Sequence, residues 1–309
     1  MQVSIVLPCH NAERFLDRCL DSLFAQTHPE LELIAVDDGS TDGTRVLLEA
    51  AAARSPFPFR VIHQANAGAC AARNAGWKVA TGRYIQFMDA DDELLPGKIA
   101  HQVALLEKQD LPGLIVGSAH TYAADGSLKR IDVQVTDNRD PWLDLMRHEL
   151  GGTPTNLWER DALVSVGGWD AAMKSSQEYD LMFRLLQQGV QVAFDPEVGT
   201  HIHLQASGSV STSQMDATWI RFIALRERII DHVARTMPDR DLRPFLQVLF
   251  DSLRTLYPYA PKHATDLYRR IFPEGFAPQL SPATGRMYIV LHRVLGFAKA
   301  NRVRQWFGR

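Results

Sequence analysis

Cysteine is scarce in this chain. Cys9, Cys19 and Cys70 are its whole complement, all within the first quarter, odd in number and at no metal-binding spacing. That excludes a disulfide-built domain or a zinc module and suits buried thiols in a reducing compartment. Long apolar runs are missing too, with nothing near the ~18–20 residues that cross a bilayer. Charge of one sign is not in excess: 33 basic and 36 acidic residues leave a net charge of -3. This argues against a nucleic-acid binder and against an acidic disordered chain. The opening Met1–Pro8 has no basic leader and reads as a first strand rather than a signal peptide, so a cytoplasmic protein is expected. No Gly-x-Gly-x-x-Gly opens the first helix, which argues against a dinucleotide-dependent dehydrogenase.

What is present is ordinary for a folded protein: 309 residues, 46% hydrophobic and 22% charged. The length predicts one large domain and a smaller appendage. Strand and helix patterns alternate at first. Val3–Leu7, Leu31–Val36, Phe59–His63 and Tyr84–Met88 read as strands. Phe15–Phe24, Thr44–Arg54, Ala69–Ala80 and Pro96 to about Lys108 read as helices. This βαβ rhythm predicts an α/β fold with a doubly wound, mostly parallel sheet. Leu114–Tyr122 and Leu128–Val135 then flank the turn signal Asp125-Gly126. Pro141–Leu150, Arg160–Val166 and Glu178–Gln188 read as helices, and Gln191–Phe194 and Val198–Leu204 as two late strands. We place a boundary at Ser213, giving a catalytic domain over 1–213 and a helical C-terminal region over 214–309. Ile220, Ile223, Ala224, Glu227 and Ile230 mark an apolar helix face there.

Ligands of open α/β sheets sit outside the carboxyl ends of the strands. Polar residues gather at three such ends here: Pro8-Cys9-His10-Asn11, Asp37-Asp38, and Asp89-Ala90-Asp91-Asp92. Turn residues alone could account for one such cluster, but hardly for three on one sheet edge. Asp89-Ala90-Asp91 has the spacing that holds a hard divalent cation bridging a diphosphate. A calcium loop would need glycine at the sixth position, which is Leu94.

These blocks, with Gly39-Ser40-Thr41-Asp42-Gly43-Thr44, Asn66 to Gly76, Gly82 to Asp92, Gly167-Gly168-Trp169-Asp170 and Gln177 to Leu185, resemble a family 2 glycosyltransferase across residues 2–212. Each block alone is weakly specific; the ordered set is highly so. The resemblance implies an inverting enzyme of the A-type glycosyltransferase fold that takes a nucleotide sugar, with uridine diphosphate favoured, and a manganese or magnesium ion. By position, Pro8, His10, Asn11 and Glu13 would line the nucleotide pocket. Asp38 would accept a hydrogen bond from the base, and Arg73, Asn74, Asp89 and Ala90 would sit beside the nucleotide. Asp91 would be the main metal ligand, joined by Asp89. Many family members read Glu-Asp where this chain has Gln177-Glu178, so Glu178 is the expected general base. Asp180 is the second candidate, with pairing to Arg184 one turn on as its structural alternative. Of His201 and His203, which share a strand face, His203 is the expected third metal ligand because it lies nearer Ser209–Ser211. Trp169 and the Gly151–Asn156 loop would shape the acceptor side.

The expected reaction is one in-line displacement in which Glu178 takes the proton of the acceptor hydroxyl. The tail from Gly275 onward has no acidic residue and six arginines and lysines interleaved with apolar side chains. This suits either a helix packed on the catalytic domain or on a second subunit, or peripheral contact with an anionic membrane face. The acceptor would then be a glycan or a lipid-linked molecule of the cell envelope or an extracellular polysaccharide. A sugar-nucleotide pyrophosphorylase is the nearest enzymatic rival, but the glycine-rich loop it resembles is absent after the first strand. A non-catalytic nucleotide-sugar-binding protein is the rival of another class, and donor turnover separates the two.

Overall fold

The computed structural model describes residues 1–106, 111–135, 137–173, 175–205 and 215–307. The expected boundary at Ser213, the stretch Ser209–Ser211 and Lys108 lie outside them. The chain divides into two compact units, one of Met1–Pro141 with His148–Ser209, the other of Trp142–Arg147 with Val210–Arg309.

The first unit opens with β1 (Val3–Cys9), α1 (Glu13–Phe24), β2 (Leu31–Asp38), α2 (Thr44–Arg54), β3 (Phe59–Gln64), α3 (Ala69–Val79) and β4 (Tyr84–Phe87). There follow β5 (Glu93–Leu94), α4 (Lys98–Leu106), β6 (Leu114–Tyr122), β7 (Leu128–Asp132), α5 (Pro141–Arg147, which from Trp142 on belongs to the second unit), β8 (Leu157–Glu159), α6 (Arg160–Ser165), α7 (Gln177–Gln187) and β9 (Val192–His203). The sheet runs β3-β2-β1-β4-β8-β6-β9-β5, with β7 paired to β6. Pairing is parallel through β3, β2, β1 and β4 and between β6 and β9, so most of the paired length is parallel. Antiparallel β8 bridges the two halves.

Both faces of β1 are covered, which is why all seven of its residues are buried. Val3, Ile5, Leu7 and Cys9 point one way and pack with Leu16, Cys19, Leu20 and Leu23 of α1, a stripe at helical spacing. Val6 points the other way, toward α3, and a Cβ at Gly76 would run into its side chain. Glycine there lets helix and sheet approach closely. The chain leaves β1 first toward β2 and β3 and later toward β4, so a topological switch lies between β1 and β4. That is where an open α/β sheet forms its crevice.

Some elements differ from their expected form. α5 stops at Arg147 and β7 at Asp132, short of Leu150 and Val135. The two late strands are one, β9. Its register against β6 slips from Val116↔Phe194 to Ser118↔Val198, so Pro196 sits in a bulge where its missing N–H costs no ladder bond. β5 and β8, of two and three residues, are too short to show a period.

The second unit is helical, joining α5 from Trp142 on with α8 (Met215–Thr236), α9 (Arg243–Leu256), α10 (Pro261–Ile271) and α11 (Arg286–Phe307). The buried stripe of α8 runs through Leu225, Ile229 and Val233 beside Ile223, and Ala224 is exposed rather than on the apolar face. Phe250 of α9 is the hub, with the rings of Tyr268, Phe272, Phe276, Tyr288 and Phe297 at 5.5–6.1 Å.

Candidate active site

The loops that leave β1 and β2 are tied to each other. Asn11, with φ of 51°, accepts the Thr41 N–H on its Oδ1 at 2.8 Å, and its own N–H donates to Ser40 Oγ at 3.0 Å. Glu13 Oε2 accepts the Gly43 N–H at 3.0 Å, and the Glu13 N–H donates to Asp42. The expected pocket residues Asn11 and Glu13 thus fasten one loop to the next. Pro8 is buried at the end of β1, past its last pairing with β4 at Val6. His10 is exposed; its Nδ1 lies 2.9 Å from the Asp38 carbonyl oxygen, and the Asn66 side-chain amide nitrogen lies 3.1 Å from its Nε2.

Asp38 is buried and committed to its own chain. Its carboxylate accepts from Gln64 Nε2 at 2.7 Å and from the N–H groups of Ala67 and Gly68 at 2.9 and 2.8 Å. These bonds fold the 66–68 turn, and Gly39 (φ 70°) allows it, since a Cβ there would stand 2.7 Å from the Asn66 nitrogen. Asp37 accepts the Ser40 N–H and faces His63 Nδ1 at 3.1 Å. Burial alone would raise its pKa, but the bonds from Ser40 and His63 outweigh that and lower it.

The loop after β4 gathers the carboxylates. Asp89 pairs with Arg73 Nη2 at 2.6 Å, and Ala90 beside it is half-buried. Asp91 accepts from Gln205 Nε2 at 3.3 Å, and its carbonyl accepts from Arg18 Nη2 at 2.5 Å. Buried Asp92 accepts the His203 N–H at 2.8 Å. Glu93 faces Arg18 at 3.3 Å and His203 Nε2 at 2.7 Å. Burial, and next the charge of Asp89, raises the pKa of both Asp91 and Asp92, the latter strongly. Of the two strand histidines, His203 donates its N–H to Asp92 and stacks on Tyr122 at 5.5 Å, while His201 sits opposite Glu93 in the β5–β9 ladder. His201 lies parallel to His120 at 5.8 Å. Arg18 of α1, Glu93 of β5 and Gln205 just past β9 clamp the loop, and no sequence motif marks them.

Among the described residues no three His, Cys, Asp or Glu side chains form a ready metal cage. Asp89 is engaged with Arg73 and His203 with Glu93. The donor chemistry nevertheless suits a hard divalent ion. Asp91 offers carboxylate oxygens whose charge is disfavoured by burial and by Asp89, and a nearby cation would relieve both.

Arg73 joins this loop to α7. It is 7% exposed, its Nη1 lies 3.4 Å from Gln177 Oε1, and its guanidinium lies 4.7 Å from the Trp169 ring centre. Glu178, half-buried, follows Gln177 in the first turn of α7. Burial raises its pKa, Arg73 acts to lower it and Asp89 to raise it, so the three groups share one electrostatic site. Asp180 is buried and bonded to Arg184 Nε at 2.9 Å, while Arg184 Nη1 donates to the carbonyls of Val166 and Gly168. It holds the 166–168 turn against α7.

Two expected contacts turn inward. Asn74 bonds both backbone groups of Trp169, at 2.7 and 3.0 Å, and the Trp77 indole N–H at 2.8 Å. Trp169 itself is 3% exposed, edge-on to Phe87 at 5.2 Å. A buried indole whose face carries Arg73 offers no platform to a sugar, so Trp169 is a core residue. Likewise Asn156, at the end of the Gly151–Asn156 loop, is fully buried and bonded to the Leu150 carbonyl.

Residues 4–163 match the family profile described as Glycosyl transferase family 2. An uncharacterized glycosyltransferase of Nostoc sp., alr2836, is 37% identical over 132 residues, covering 43% of this chain and 40% of that protein. The aligned regions span two fifths or less of the first curated relatives' length. Among solved structures, S. aureus TarS 1-349 in complex with UDP-GlcNAc superposes with a TM-score of 0.64 at 18% identity, covering 89% of this chain and 77% of that one. Mannosyltransferase PcManGT from Pyrobaculum calidifontis, in complex with GDP-Man and Mn2+, gives 0.56 at 17% identity over 100% of this chain and 88% of that one. At these identities the structures share the A-type glycosyltransferase fold and no more.

Proposed function

The chain belongs to glycosyl transferase family 2, and from that premise we propose that it moves a sugar from a uridine diphosphate sugar to an acceptor hydroxyl with inversion, Glu178 acting as general base. The observation that carries this reading is Arg73. One buried cation pairs with Asp89 at the end of β4 and reaches Gln177 at the start of α7, so Glu178 and the carboxylate loop sit in one field. The UDP-GlcNAc bound by TarS and the Mn2+ bound by PcManGT support the donor class and the metal.

Glu178 takes the proton of the acceptor O–H as that oxygen bonds to the anomeric carbon. The bond from that carbon to the diphosphate oxygen breaks, and the leaving group departs with its electron pair from the opposite face. Burial raises the pKa of the Glu178 carboxyl, and a carboxylate with a raised pKa is a stronger base. Asp91, with Asp89 or His203, would hold a divalent ion, which when bound offsets the charge of the diphosphate. Arg73 holds Asp89 and the base-bearing helix in place. The acceptor we assign to glycans or lipid-linked molecules of the envelope or an extracellular polysaccharide, reached from the cytoplasmic side of a membrane.

The test is manganese-dependent binding and hydrolysis across a panel of nucleotide sugars. Glu178→Gln should bind donor normally and lose turnover by ~10²–10⁴, and Asp91→Ala should lose metal-dependent binding. Absence of binding to every nucleotide sugar would refute the reading, and full turnover by Glu178→Gln would refute its base.

A further inference from the structure

The tail marked by its lack of acidic residues is helix α11. Its inner face is fixed: Tyr288, His292, Phe297, Ala300 and Asn301 are buried, and Asn301 Nδ2 donates to the Tyr288 hydroxyl at 2.8 Å and the Phe297 carbonyl at 2.9 Å. The outer face therefore has a defined direction. Before the break at Gly296 (φ 70°, ψ 174°) it carries Met287, Val290 and Val294, which are 76%, 61% and 74% exposed. Their spacing of three and four residues makes one stripe, and exposed Arg286 and Arg293 lie three or four positions from Val290 on its edge. After the break, Lys299, Arg302 and Trp306 repeat the same spacing, all exposed, with Trp306 at 80%.

We infer that this outer face docks on an anionic phospholipid bilayer. Side chains of this kind in water are costly unless something covers them, and the cover must accept both a hydrophobic stripe and its cations. A bilayer surface does both: acyl chains take Met287, Val290, Val294 and the Trp306 indole, and phosphates take the arginines and lysine. With no acidic residue from 275 to 309, nothing on the segment repels that surface. A second copy of the same face would set like charges against each other, and a nucleic acid would leave the apolar stripe uncovered. The surface does not depend on the donor chemistry, so vesicle binding and turnover fail or succeed separately.

The experiment is sedimentation of the full chain with vesicles of phosphatidylcholine alone and of phosphatidylcholine mixed with phosphatidylglycerol. Binding is expected to the mixed vesicles only and to weaken as salt rises. Replacing Arg293, Lys299 and Arg302 together by glutamine should lower partitioning about a hundredfold, at roughly fivefold per cation. Val290→Asp with Val294→Asp should weaken it as well. No sedimentation with mixed vesicles, equal binding to both kinds, or an unchanged triple variant would each overturn the inference. So would self-association that Val290→Asp and Val294→Asp abolish without any vesicle binding, which would assign the face to a second copy.

Discussion

Replacing Arg73 by glutamine removes the one cation shared by Asp89, Gln177 and the Trp169 face. Breaking a fully buried ion pair from one side costs ~3–5 kcal/mol. Asp89 is one-third exposed, and water recovers part of that, leaving about 2 kcal/mol. Loss of the stacked guanidinium adds about 1 kcal/mol. A total of about 3 kcal/mol should lower the melting temperature by roughly 6–12 °C for a unit of this size. The functional sign is separate. Arg73 favours the ionised form of Glu178, so its removal raises the Glu178 pKa further. The acidic limb of kcat/KM against pH should therefore move to higher pH. Arg73→Lys keeps the charge without the planar fork, so it should lose stability while leaving the limb nearly in place. Thermal unfolding and pH–rate profiles of the three proteins decide the matter. A limb that stays fixed or moves to lower pH in Arg73→Gln would refute the electrostatic link between the carboxylate loop and α7.

Three further outcomes follow from the geometry. Gly167 and Gly168 both have φ of 73°, so alanine strains either by ~1–2 kcal/mol. Only at Gly168 would the Cβ also meet Asn74 Oδ1 and the Trp77 ring at 2.7 Å, so Gly168→Ala should be clearly the less stable in denaturant melts. Asp37 has a folded pKa below its usual 3.8, so its contribution to stability is present above that value and lost as pH falls through the lowered one. Asp37→Asn should be less stable at neutral pH and show a flatter acid limb. Cys9, Cys19 and Cys70 are buried, and burial raises each thiol pKa, that of Cys70 to about 11. A thiol reagent should leave the native protein unlabelled and modify all three on unfolding.

The sequence was most readable where composition left little choice. Thr44–Arg54 and Leu114–Tyr122 fall on their expected limits, the first a Leu- and Ala-rich run of helix formers and the second an apolar β-rich run. Pro196 split β9 on paper because proline ends a regular ladder, whereas the bulge against Val116–Ser118 absorbs it. The site was legible as a set of strand ends but not in its wiring. Motif position alone draws Asn74, Trp169 and Asp38 toward a ligand, yet their hydrogen bonds and burial turn them to the protein itself. Arg18, Glu93 and Gln205 act on Asp91 and His203 from elements distant in the chain, and such contacts leave no trace in local spacing.

The bonds that join the loops after β1 and β2 have a consequence for the entropy of whatever enters beside them. Fixing the backbone of one residue costs ~1–2 kcal/mol. Asn11, Glu13, Thr41 and Gly43 are held by one another through the protein's own hydrogen bonds. A guest arriving there meets a frame rather than two free strings, and little of its interaction energy goes to ordering the host. A single change such as Asn11→Ala would loosen both loops together. It would then weaken binding through host disorder even for a guest that never touches residue 11.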